Sequence, residues 1–299
     1  MALLATLLLP FGGPSAALAH GVAAGAERDL RWTLDPWVIV PLVLSAGLYA
    51  LGVKTLWGRA GWGRGISPRQ CGLYVAGWMI LAAALISPLH ELGEHLFTAH
   101  MVEHELVMAA AAPLLVLARP LGAFLWALPQ ALRHGVARAC CRPMSRRTWR
   151  ALTAPMAATV AHGVAIWVWH VPSLFDAAVA DVTLHRLQHL SFLVTALLFW
   201  WAMVRRTVPG AAVLHLFATM AHMTMLGALI ALAPHPLYLR QTAGAAICGL
   251  TPLEDQQLAG LVMWVPAGTV YAGAALAFAT LWIRRSGERA RAVGAVPLG

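Results

Sequence analysis

Charge is what this sequence has least of. Asp, Glu, Lys and Arg supply only 11% of its 299 residues, whereas a water-soluble domain of this size carries about 25%. So few ionised groups cannot coat a globule in water, which excludes an ordinary soluble enzyme. The net charge of +9 would suggest nucleic acid in a soluble chain. Here no stretch interleaves aromatic with basic residues, so no nucleic-acid partner is expected. Cysteine is scarce too: Cys71, Cys140, Cys141 and Cys248 are all there are, with no spacing that implies a disulfide framework. Also missing are a glycine-rich phosphate loop, a Ser-His-Asp order and paired catalytic carboxylates. "HELGEH", from His90 to His95, is no zinc-protease helix, because its histidines are five apart rather than four. These absences leave no enzyme signature.

Apolar residues fill the space: 60% of the chain is hydrophobic and the mean hydropathy is +0.71. The expectation is an all-α, polytopic membrane helix bundle. Residues 1–19 read as a signal peptide ending in Ala-Leu-Ala, and residues 20–299 as a single transmembrane domain. Seven stretches reach spanning length: Pro36–Trp57, Gln70–Ser87, Phe97–Ala118, Ala154–Val171, His185–Val204, Ala211–Ala233 and Leu258–Ile283. Residues 119–138, broken by Pro129 and carrying Trp126, read as an interfacial helix. The tail after Arg285 reads as a short mobile segment.

Basic residues orient the spans. Seventeen of the 21 Lys and Arg residues fall on one side: Lys54 in the last turn of span one and sixteen in the loops after spans one, three, five and seven. Only Arg28, Arg31, Arg186 and Arg240 fall on the other side. The positive-inside rule then puts the amino terminus outside and the carboxyl terminus in the cytoplasm.

That topology gives the 13 histidines a depth. In "LFTAHMVEHELVM", His100 and His104 stand four apart in the outer half of span three. In "LHRLQHLSFLV", His185 and His189 do the same at the start of span five. Positions i and i+4 share a helix face, and both spans run inward, so the pairs can meet at one level. His170, ending span four, can close a ring above them. Neutral imidazole suits Cu, Zn and Fe, and polar side chains in a span usually face the bundle interior and mark function. His162, His215 and His222, taken singly, read as hydrogen-bonding residues between helices. Asp255, Gln256 and Gln257 open span seven. A carboxylate there can orient a ligand imidazole, so Asp255 and Gln256 are candidate second-layer or gating residues. Met101 is a thioether at the histidine level.

The stretches "SPLHELGEHLFTAHMVEHELVMAAAAPLLVLARP", "WVWHVPSLFDAAVADVTLHRLQHLSFLVTALLFWW" and "DQQLAGLVMW" together resemble the CtaG family, bacterial membrane proteins linked to assembly of caa-type heme–copper cytochrome c oxidases. The resemblance runs from span two to span seven. The family's His-Met-x-x-His element falls on His100, Met101 and His104. Its Trp-x-Trp-His-x-Pro element falls on Trp167, Trp169, His170 and Pro172, and its Asp-Gln-Gln on Asp255, Gln256 and Gln257. His90 and His95 lie outside the pattern. The resemblance implies a non-enzymatic assembly factor that handles copper, as Cu(I), for the oxidase catalytic subunit, with a periplasmic copper donor as a further partner beside the lipid bilayer. The expected metal ligands are His100, His104, His170, His185 and His189. Two other readings stay open: facing histidines could ligate heme, or the chain could transport copper or protons. Cleavage after Ala19 would also expose His20 as an amino-terminal chelator.

Overall fold

The computed structural model describes residues 32–294. The expected signal segment and His20 lie outside them. Among the described residues the chain is 85% helical with no strand. Nine helices begin at a proline, from Pro36 to Pro252. Proline suits this position because its missing N–H falls where the helix has no acceptor for one.

Helix α1 (Pro36–Ala60) is capped by the Asp35 side chain, which accepts from the Trp37 amide. Helix α2 (Pro68–Ile86) opens on a reciprocal Ser67–Gln70 capping box. The short α3 (Pro88–Gly93) follows. The third span is α4 (Phe97–Glu105), a wider π turn at Leu106–Ala111, and α5 (Ala112–Ala118). The π turn leaves the Met108 carbonyl free to accept from the Trp200 indole at 3.0 Å. Then come α6 (Pro120–Ala127), α7 (Gln130–Cys141), α8 (Pro143–Leu152) and α9 (Pro155–Trp169). The chain continues through α10 (Pro172–Ala180), α11 (Val182–Arg205) and α12 (Pro209–Ala231), a 3₁₀ turn at Gln241–Cys248, and α13 (Pro252–Gly294).

Among the described residues, six helices or helix runs are long and apolar enough to span a membrane; a bent pair, α8 with α9, brings the number to seven. The chain is therefore a multi-pass membrane protein. The expected fourth span is the irregular one. Its α9 has 15 residues, a rise of about 22 Å against a hydrocarbon core of about 30 Å, and it meets α8 at 60°. The break expected at Pro129 is present: segment 119–138 is split at Leu128 and Pro129 into α6 and α7 rather than forming one interfacial helix, and α6 packs tightly on α1. A Cβ on Gly52 would overlap the Ala123 carbonyl. The expectation for the tail needs correcting. The tail after Arg285 is helical as far as Gly294, so α13 has 43 residues, about 65 Å of continuous helix.

The main core joins α4, α9, α10, α11, α12 and α13 around Phe97, Phe175, Phe192, Phe199 and Tyr271. Helices α1, α2, α5 and α6 form a second apolar group beside it. Basic residues gather at one end, where Arg59 and Arg133 both lie over the Trp126 ring and Arg119 and Arg205 line a shared cleft. The histidine pairs sit at the other end, where α4, α11 and α13 begin and α9 finishes. No disulfide forms among the described residues.

Candidate metal centre

Helix α4 starts without a cap of its own, since Leu96 offers no side-chain oxygen. Asp255 of α13 supplies one. Its carboxylate accepts from the Phe97 amide at 2.8 Å, the Thr98 amide at 2.9 Å and the Thr98 hydroxyl at 2.7 Å. A negative group at a helix amino terminus satisfies exposed N–H groups and complements the helix dipole. So held, α4 turns His100, Met101, Glu103 and His104 all into the interior. Helix α11 is capped by Asp181, which accepts from the Leu184 amide at 2.8 Å. One turn further on, His185 and His189 share a face, their Nε2 atoms 2.9 Å apart.

The two pairs meet. Ring centres of His100 and His104 are 4.3 Å apart, His100 and His185 5.3 Å, and His104 and His189 4.9 Å. One nitrogen from each of His100, His185 and His189 lies within 4.8 Å of the other two. Nitrogens around a four-coordinate ion lie roughly 3.4 Å apart, so small side-chain rotations would close the set. His170 ends α9, and its Nδ1 is 2.6 Å from the Ile166 carbonyl. A carbonyl only accepts, so Nδ1 carries the proton and Nε2 the lone pair. That is the second hydrogen bond a metal-binding imidazole normally makes.

Several polar atoms of the cluster are left over, as are some elsewhere, both nitrogens of His222 among them. His100 Nε2, both nitrogens of His104, His170 Nε2 and His189 Nδ1 are buried without a hydrogen-bond partner. Each such atom costs about 1–3 kcal/mol, and buried polar groups are rarely left this way. These five atoms belong to four imidazoles, and each neutral ring offers one lone pair, which a cation could accept.

Two members were not among the expected ligands. Helix α3 folds over the cluster and brings His90 within 5.6 Å of His185 and 6.1 Å of His189, ring to ring. Glu103 is fully buried. Its Oε1 lies 2.7 Å from His90 Nδ1 and 3.6 Å from His189 Nε2, and its Oε2 has no partner. Burial works against a charge on His90. The hydrogen bond to Glu103 and the negative charges of Glu103, Glu94 and Glu91 outweigh it and hold the imidazole above its ordinary pKa. Glu103 was visible inside the His100–His104 turn. His90 was not, because its approach depends on how α3 folds back.

The family model for the cytochrome c oxidase caa3 assembly factor matches residues 47–285. The chain belongs to this CtaG family. No curated protein and no solved structure matches it.

In this CtaG-family protein the remaining expected site residues hold the scaffold. Asp255 reaches the α4 amino terminus rather than an imidazole. Gln256 accepts from the Leu237 amide and donates to the Ile230 carbonyl at 3.2 Å, pinning the loop after α12. Met101 is buried in the main apolar core. Tyr238 in that loop donates to the His170 carbonyl at 2.7 Å, and the Trp169 indole donates to Ser191 at 2.7 Å. Together these contacts tie the α9 end to α11 and to the loop. His162 bridges Thr195 and Tyr271, each at 3.2 Å, and His215 lies 2.9 Å from Thr159. Both link helices. His95 and His235 are exposed and stand apart.

Proposed function

We propose that this protein is a non-catalytic assembly factor of a bacterial plasma membrane that holds copper, as Cu(I), at the histidine end of the bundle and passes it to the catalytic subunit of a heme–copper oxidase. Family membership supports the oxidase as the partner. The observation that carries the copper reading is the convergence of His100, His185 and His189 beside buried, unpartnered imidazole nitrogens. Imidazole suits copper in either oxidation state, and a site meant to release its ion needs exchangeable neutral ligands rather than a closed thiolate cage. The loop charges support an outward-facing site, where a periplasmic donor could load it. The close ring packing favours an ion over a heme: rings 4.3–5.3 Å apart leave no slot for a porphyrin plate between them.

The test is copper content by elemental analysis of purified protein, beside a His185→Ala/His189→Ala variant. Copper in the wild type that falls in a folded variant supports the reading. No copper in the wild type after Cu(I) loading would sink it. An absorption spectrum of the same sample showing a Soret band would replace copper by heme.

A further inference from the structure

The histidines do not form one shell. They form two groups that differ in exposure. In the first, His185 and His189 are part-exposed, beside His90, whose side chain is 14% exposed. His100 joins them from the interior at 1%. In the second, both members are buried, His104 at 1% and His170 at 4%. His104 contributes two unpartnered nitrogens and His170 one, yet neither belongs to the compact group of His100, His185 and His189.

We propose that the site holds two ions in series: a shallow position built by His100, His185 and His189 beside Glu103, and a deep, two-coordinate position between His104 and His170. This rests on the copper reading above and adds a second binding position to it.

Three observations carry the deep position. The first is spacing. Two metal–nitrogen bonds of about 2 Å in line, with each nitrogen roughly 1.2 Å from its ring centre, would separate the ring centres by about 6.4 Å. The centres of His104 and His170 are 6.3 Å apart. The second is the fixed tautomer of His170, whose bond to the Ile166 carbonyl leaves Nε2 as a lone pair. The third is the lining. Phe192 stands 4.7 Å from His104 and 6.1 Å from His170, Phe175 stands 6.0 Å from His170, and both phenylalanines are fully buried.

That lining selects the ion. The cost of burying a charge rises with its square, so a dry pocket with two neutral donors suits a monovalent cation of low coordination number. Cu(I) is such an ion. The shallow position has a carboxylate beside it and tolerates higher charge. His104 is the step between the positions: its ring is 4.9 Å from His189 and 6.3 Å from His170. An ion could pass by exchanging one imidazole at a time, without meeting the apolar lining bare.

The experiment is anaerobic Cu(I) titration of the full-length protein in lipid nanodiscs. Bound copper per chain is counted after desalting, and X-ray absorption reports the nitrogen coordination number. The expected values are two copper ions in the wild type and one in His170→Phe, whose ring fills the pocket. His185→Ala/His189→Ala should also retain one ion, with two nitrogen ligands. A single ion in both the wild type and His170→Phe would overturn the deep position and leave the copper reading intact. A single wild-type ion lost entirely in His170→Phe would likewise overturn it, in favour of one shared site. No ion in the wild type would remove the copper reading itself. The wild-type count needs no variant to fold.

Discussion

The carboxylate of Asp255 holds the amide of Phe97 at 2.8 Å across 158 positions of sequence. A helix that begins among apolar residues thus borrows its amino-terminal cap from the last span. The same helix carries His100, Glu103 and His104, so the cap fixes where the side chains of the histidine cluster point.

Asp255→Ala should therefore weaken the bundle by about 2 kcal/mol, the value of a cap with charge-assisted hydrogen bonds. It should also lower copper affinity although no imidazole is touched. Asp255→Asn keeps an acceptor oxygen and should fall between the two. Thermal unfolding in detergent with a parallel copper titration reads both effects. Unchanged affinity in a destabilised Asp255→Ala protein would show that the cap does not govern the site.

Glu103 gives a test of charge selectivity. Glu103→Gln preserves shape but removes the anion beside His189 and His90. Zn(II) affinity should fall by tenfold or more, about 1.4 kcal/mol, while Cu(I) affinity changes less. Competition with chromophoric chelators measures each. Equal losses for the two ions would contradict the role given to this carboxylate.

Helices α12 and α13 approach through Gly227 and Gly260. A Cβ on Gly260 would come within 2.6 Å of the Ala231 amide nitrogen and the Gly227 carbonyl oxygen. Gly260→Ala should cost about 1–3 kcal/mol by forcing the helices apart. Gly58→Ala, where nothing lies within 4 Å, should leave the melting temperature nearly unchanged or raise it slightly.

Trp200 closes the π turn of the third span by donating to Met108. Trp200→Phe keeps the ring but removes the donor, leaving a buried carbonyl unsatisfied at a cost of about 1–3 kcal/mol. Hydrogen exchange should rise over Leu106–Ala112 and stay level in α12. A uniform increase over the whole bundle would instead indicate general loosening.

The helical bundle and both histidine pairs were legible because each depends on local rules. Apolar runs of membrane length specify helices, and spacing four places His100 beside His104 and His185 beside His189. What escaped depends on tertiary folding. His90 joins the cluster only because α3 turns back over it. Asp255 looked like a partner for an imidazole, since sequence shows its chemistry but not its reach; the nearest unsatisfied donors are backbone amides of α4. The 60° bend before α9 and the helical continuation past Arg285 were also hidden. Hydropathy reports where a segment can cross a membrane, not where its backbone hydrogen bonds stop.

The cap from α13 also has a consequence in time. Ribosomes deliver α4 to the membrane some 158 residues before Asp255, so the helix bearing His100 and His104 waits, its first amides unmet, until the final span is inserted. A half-made chain therefore has its imidazoles in the membrane but not yet in register. The histidine cluster is complete only when synthesis of the chain is nearly finished.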